Sequence, residues 1–171
     1  PAGRGFVGYG LEDAALLQAT SVRKNNPSTL AATTNAADML IITHSPADFT
    51  AAAETWATYR RSVAGGSKTV KVIDVADIFD EFSFGLFGAA GIEAFLEHAN
   101  TQWQSRPKYV LLLGDSSHDP RNYEGFGNLS LVPSKPVYMI LEEGYSDEAL
   151  GDFDDDGLAE ALRRSDEMER D

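Results

Sequence analysis

Two stretches of this chain constrain its fold more than any others. Met39-Leu40-Ile41-Ile42 and Tyr109-Val110-Leu111-Leu112-Leu113 are runs of apolar residues with no polar alternation. A strand of that composition has to hide both faces, which places it inside a parallel sheet covered by helices on each side. Neither run approaches the roughly 20 residues needed to span a bilayer, so both are of strand length.

The sequence between them carries the helical period. Ser45 suits an N-cap, Pro46 a first helical position, and Asp48 places negative charge near the positive helix end. A helix is expected from about Pro46 to Val63, with Phe49, Ala52, Ala53, Trp56 and Tyr59 as its buried face, stopped by Gly65-Gly66. A second strand is expected over Thr69 to Val75, then a short helix or turn over Ala76 to Phe82. A further helix is expected from about Ala89 to Trp103, with Ile92, Phe95, Leu96 and Ala99 facing the core. The third strand runs from Lys108 to Gly114 and a fourth from Val137 to Leu141. A β-α-β-α-β order implies parallel strands joined by right-handed crossovers. The fold class is therefore α/β, an open, mostly parallel sheet with helices on both faces. Residues 1–37 read as a linker or the end of a preceding β domain, 38–160 as the α/β unit, and 161–171 as a charged tail.

Charge is unevenly placed. The chain has 171 residues and a formal net charge of −13. Residues 142–171 hold 13 acids against 3 bases, so most of the excess lies in the last 30 residues. A chain of this charge repels nucleic-acid phosphates and anionic membranes. It contains no cysteine, which excludes disulfides, cysteine-ligated zinc and a cysteine nucleophile within these residues. The first residue is Pro1 rather than Met, as in a fragment or a processed product.

Chemistry in an open parallel sheet is expected beyond the carboxyl ends of its strands. His44 ends the first strand, Asp74 with Asp77 the second, and Asp115-Ser116-Ser117-His118-Asp119-Pro120 the third. Asp115 either caps loop amides or contributes to binding of substrate or metal. His118 beside Asp119 could form an imidazole–carboxylate pair, but Ser116 and Ser117 lack the Gly-x-Ser-x-Gly elbow of a serine hydrolase. His44, Asp115 and His118 share the rim as candidates for a transition metal, with no spacing motif behind them. His98 is expected on a helix face, solvated or packed.

The sharpest local motif is Asp152-x-Asp154-x-Asp156-Gly157. Three carboxylates two residues apart can converge on one calcium ion, with the carbonyl of Leu158 and the side chain of Glu160 completing the set. The twelfth position of an EF-hand loop would be Arg163, which cannot ligate a cation, so the motif is either a partial calcium loop of structural purpose or a solvated acidic turn.

Several segments, in order, resemble the gingipain-like cysteine peptidases of family C25. These are Asn26-Pro27-Ser28-Thr29-Leu30, the run Ala37 to His44, Ile78 to Gly85 (IFDEFSFG), Tyr109 to Tyr123 (YVLLLGDSSHDPRNY), Val132-Pro133, Ser146-Asp147, and Asp152 to Gly157 (DFDDDG). The resemblance covers roughly residues 22–160. It implies a caspase-like α/β catalytic domain whose Cys nucleophile and catalytic His lie further along the chain, since no Cys occurs here and no His follows His118. His44 and His118 do not match the family's catalytic His. The resemblance implies the amino-terminal portion of a secreted or cell-surface cysteine endopeptidase. Its partners would be a protein or peptide substrate of the parent enzyme and the remainder of the catalytic domain. Where relatives continue into an apolar strand, this chain reads Ala161 to Asp171, highly charged. A non-catalytic interaction or secretion-associated module of the same ancestry is the alternative. An unrelated open-sheet small-molecule binder is the third reading, but there is no dinucleotide fingerprint or P-loop to support it.

Overall fold

The computed structural model describes residues 27–45, 47–120, 122–127, 130–138 and 143–152. Three strands form a parallel sheet in the order β2-β1-β3: β1 is Met39–Thr43, β2 Val70–Asp74 and β3 Tyr109–Leu113. Met39 lies opposite both Val70 and Tyr109, and Thr43 opposite both Asp74 and Leu113, so the three strands end together.

The central strand explains the architecture. Every residue of β1 is buried. Met39 and Ile41 point to one face, where they pack with Ala53 and Ala57 of α1 (Ala47–Arg61). Leu40 and Ile42 point to the other, into the larger core shared with α2 (Val75–Phe82) and α3 (Ala89–Gln102). That core holds Ile78, Ile92, Phe95 and Leu96, as the helical period predicts, with Phe95 edge-on to Trp103 at 5.7 Å. Helices thus cover both faces, and the unalternating sequence of β1 is the direct consequence. Among the described residues no helix is long and apolar enough to cross a membrane.

One expectation is corrected and another is completed. The buried face of α1 is the row Ala53 and Ala57, whereas Ala52, Trp56 and Tyr59 lie outward. Small alanines let the helix approach the sheet closely, so the bulky rings on its flank cannot reach under it. Trp56 and Tyr59 pack on each other instead, 5.2 Å between ring centroids. The fourth strand does not join the parallel sheet. β4 (Lys135–Tyr138) pairs antiparallel with β5 (Glu143–Ser146) as a separate hairpin. No helix is described between β3 and β4 to make the crossover that a parallel neighbour requires.

The described part of the 1–37 segment packs onto the α/β unit. Leu30 and Ala37 are buried, Ala36 bridges Ser105, and the Trp103 indole donates to the Leu30 carbonyl at 2.9 Å. Glu81, at the end of α2, fastens this loop. Its carboxylate accepts from the amides of Leu30 (3.1 Å) and Ala31 (2.9 Å) and from the Ser28 hydroxyl.

Candidate functional site: the carboxyl rim of the sheet

Because β1 and β3 end in register, His44 and Gly114 leave the sheet side by side. Gly114 is required here by close approach. A Cβ on it would lie 2.6 Å from a methyl of Val132, which is buried against the strand end. The next carbonyl, that of Asp115, accepts from the amides of Leu131 (2.7 Å) and Val132 (3.0 Å). The chain after β3 therefore returns along the rim and forms a wall there.

The expected site residues are organised for structure more than for shared chemistry. Asp115 is exposed, and its side chain accepts from the Ser116 amide at 2.9 Å, the loop-capping role. Asp119 accepts from the amides of Tyr123 (2.8 Å) and Glu124 (2.7 Å), and so shapes the loop that follows. His118 projects into solvent and pairs with Glu124 at 3.5 Å rather than with Asp119. Asp74 caps α2 by accepting from the Ala76 amide at 3.0 Å. Burial raises the Asp77 carboxyl above its ordinary pKa, and the neighbouring carboxylates of Asp74, Asp80 and Glu81 push the same way. Among the described residues no three His, Cys, Asp or Glu side chains converge as a metal site. His44, Asp115 and His118 lie along the same rim, and these three side chains do not converge in one such group.

His98 is packed: its Nε2 lies 3.0 Å from the Ala31 carbonyl and its ring stands 5.4 Å from that of Phe82. Of the calcium-type motif, Asp152 is described. It is 6% exposed and follows a short 3-10 turn, Glu148–Gly151. Asp154, Asp156, Leu158 and Glu160 lie outside the described residues.

The feature that the sequence reading missed is a cleft of about 690 Å³ at this rim, a size typical of ligand sites. It is lined by Ser116, Ser117, Ser130 and Ser134 and by apolar residues that include Phe87, Pro133 and Tyr145. The amino end of α3 opens into it through Gly88 and Ala89. An ion pair from Lys135 to Glu93, 2.8 Å and largely shielded from water, fixes β4 to α3 beside it. The cleft is built from four separate stretches, and no local motif announces it. The nearest signal in the sequence is Phe84-Gly85-Leu86-Phe87-Gly88, apolar residues between glycines where a polar loop is the norm.

The model of peptidase family C25 matches residues 32–169. No curated protein matches the chain. Among solved structures the fold is similar to the crystal structure of dimeric latent PorU from Porphyromonas gingivalis, with a TM-score of 0.55 at 21% identity. That likeness covers 71% of this chain and 12% of the other, so this chain spans a small part of the protein it resembles. At this identity the likeness speaks for the fold.

Proposed function

The chain belongs to peptidase family C25, and from that premise we propose that it is the amino-terminal, non-catalytic portion of a secreted gingipain-like cysteine endopeptidase. The observation that carries the reading is the family match over residues 32–169 in a chain without cysteine. A cysteine peptidase needs a thiolate to attack the peptide carbonyl, a histidine to move protons and donors for the oxyanion. The thiolate must come from residues other than these 171. His44 and His118 have no described contact with a nucleophile. What this portion contributes is the parallel sheet, its rigid rim and the surfaces against which the remainder of the catalytic domain packs. Proteolysis, a protein or peptide substrate, and export to the cell surface or medium are properties of the proposed parent.

The coding DNA beyond the codon for Asp171 tests this. A downstream His and a later Cys, in any frame, support the reading. A clean stop with neither in any frame contradicts it. That outcome favours a non-catalytic interaction or secretion-associated module, which the absence of cysteine also suits.

The acidic motif is proposed to hold a structural calcium ion through Asp152, Asp154, Asp156, the Leu158 carbonyl and Glu160. Calcium at 100 times its Kd would add about 2.7 kcal/mol and raise Tm after chelator treatment. An unchanged Tm in millimolar calcium removes the ion from the account.

A further inference from the structure

We propose that the outer edge of β3 is a seam at which the sheet continues: it receives a further strand, parallel to β3, apolar on both faces and acidic at its first position, from the downstream part of the parent. The proposal rests on the reading of a longer parent, which supplies that strand.

β2 and β3 are the two edges of the described sheet, and β2 alone is built as an edge. Lys71 interrupts its apolar residues. The Thr69 carbonyl accepts from the Met39 amide, so the Val70 carbonyl turns outward, and there the Arg61 guanidinium donates to it at 2.8 Å. Charged side chains on an outer strand discourage pairing with further strands. β3 has no such charge. Tyr109-Val110-Leu111-Leu112-Leu113 is apolar on both faces, the composition of a strand flanked on each side. β1 is also apolar on both faces, lies between two strands and is wholly buried. β3 has a neighbour on one side among the described residues, and its Tyr109 and Val110 are 48% and 44% exposed.

The backbone of β3 offers the matching row of bonds. The Tyr109 amide donates to the Asp38 carbonyl at 3.2 Å, and the Leu113 carbonyl accepts from the Thr43 hydroxyl at 3.0 Å, so the odd-numbered residues turn to β1. Val110 and Leu112 alternate with them. Their N–H and C=O groups point outward, where a strand alongside pairs with them.

The crossovers give the direction of that strand. α1 covers one face on the step from β1 to β2, and α2 with α3 covers the other on the reverse step from β2 to β3. Right-handed crossovers require this arrangement. One more step beyond β3 therefore needs a connection on the α2–α3 face. The chain after β3 runs there, since Val132 and Leu150 are buried in the same core as Ile92 and Phe95. A connection on that face brings a parallel strand to the outer side of β3.

Charge and cover complete the description. Lys108 precedes β3, and the Lys68 ammonium lies 5.4 Å from the centre of the Tyr109 ring. The nearby Asp38 carboxylate is engaged by the Thr69 amide and hydroxyl at 2.8 and 2.7 Å. A parallel strand begins beside these two bases, so an acid suits its first position. Trp56 and Tyr59, 43% and 46% exposed, stand roughly 140–200° around α1 from the Arg61 that reaches β2. That flank leaves apolar surface to cover the added strand on the α1 face.

The test is residue-resolved amide hydrogen exchange on the 171-residue chain and on the longer product of its gene. In the chain, Val110 and Leu112 should exchange at least about 100-fold faster than Leu111, whose amide faces β1. In the longer product both should slow by at least about 100-fold. Val110→Lys gives β3 the charge that β2 carries. It should leave Leu111 exchange in the chain unchanged, and in the longer product it should return Leu112 to the rate of the chain or prevent folding. Slow exchange of Val110 and Leu112 in the chain overturns the proposal: independent of concentration, it means that the chain covers its own edge, and rising with concentration, that a second copy does. Fast exchange in the longer product, or protection there indifferent to Val110→Lys, overturns it too. A gene that stops after Asp171 removes the parent and the seam together, whereas fast exchange in a longer product removes the seam alone and leaves the peptidase reading to its own test.

Discussion

The two ends of the parallel sheet are built on opposite plans. At the end where the strands begin, several polar groups are tied to specific partners, although the Arg60 Nε there is buried without one. Glu81 holds the 28–31 loop, Trp103 donates to Leu30, and Lys71 bonds the Asn35 side chain while lying 5.2 Å from the Trp103 ring. At the end where the strands finish, a cleft stands open, a helix begins without a cap, a buried hydroxyl lacks a partner and large apolar side chains face water. Closed bonding at one end makes a rigid base. Unsatisfied groups at the other mark the surface where a ligand or another part of the parent can still lower the free energy. Stability and binding therefore reside in different residues, and substitutions should separate them.

The largest effect is expected beneath both ends, in the shared core. Phe95→Ala removes a fully buried ring that contacts Phe82 and Trp103, and should cost about 3–5 kcal/mol in urea unfolding. Gly114→Ala comes next. The added methyl would overlap a stiff, buried Val132 side chain, so about 1–3 kcal/mol should be lost and the rim wall displaced. If Gly114→Ala were neutral, the packing of residues 130–132 against the strand end would be looser than described.

Glu81→Gln should cost about 1–2 kcal/mol by weakening three bonds at the base. Burial acts to raise the Glu81 pKa, but the bonds from Ser28, Ala31 and Leu30, with His98 nearby, outweigh it and hold the carboxyl below its ordinary value. The sign follows from proton linkage. A carboxyl depressed in the fold contributes stability that is complete above its unfolded pKa and is lost as pH falls through the folded one. Acid unfolding of the wild type should therefore steepen below the ordinary glutamate range, and Glu81→Gln should flatten that limb. The smallest effect belongs to the open end. Leu86→Asp should move stability by no more than about 0.5 kcal/mol. A larger loss there would mean that the lip is part of the core, and the contrast between the ends would collapse.

What could be read from the sequence divides along the same line. β1, β2, β3 and the inner face of α3 were legible because burial on two faces leaves an unbroken apolar run and burial on one side leaves a 3.6-residue period. Trp56 and Tyr59 misled because the period gives a helix face but not how closely that face approaches the sheet, which Ala53 and Ala57 decide. The β4–β5 hairpin was legible only as a fourth strand from Val137, because an apolar stretch does not carry its strand direction. Glu81 was invisible as a clamp because its partners lie about 50 residues away along the chain. The rim was legible as a place, through His44 and Asp115, but its cleft is assembled from loops whose meeting depends on Gly114 and on the return of residues 130–132.

The measurement closest to the central claim is a peptide-cleavage assay run in parallel on the 171-residue chain and on the longer product of its gene, each with and without a thiol alkylator. The account predicts no hydrolysis by the chain, and hydrolysis by the longer product that alkylation abolishes. Hydrolysis by the chain alone, or an activity of the longer product that survives alkylation, would contradict it.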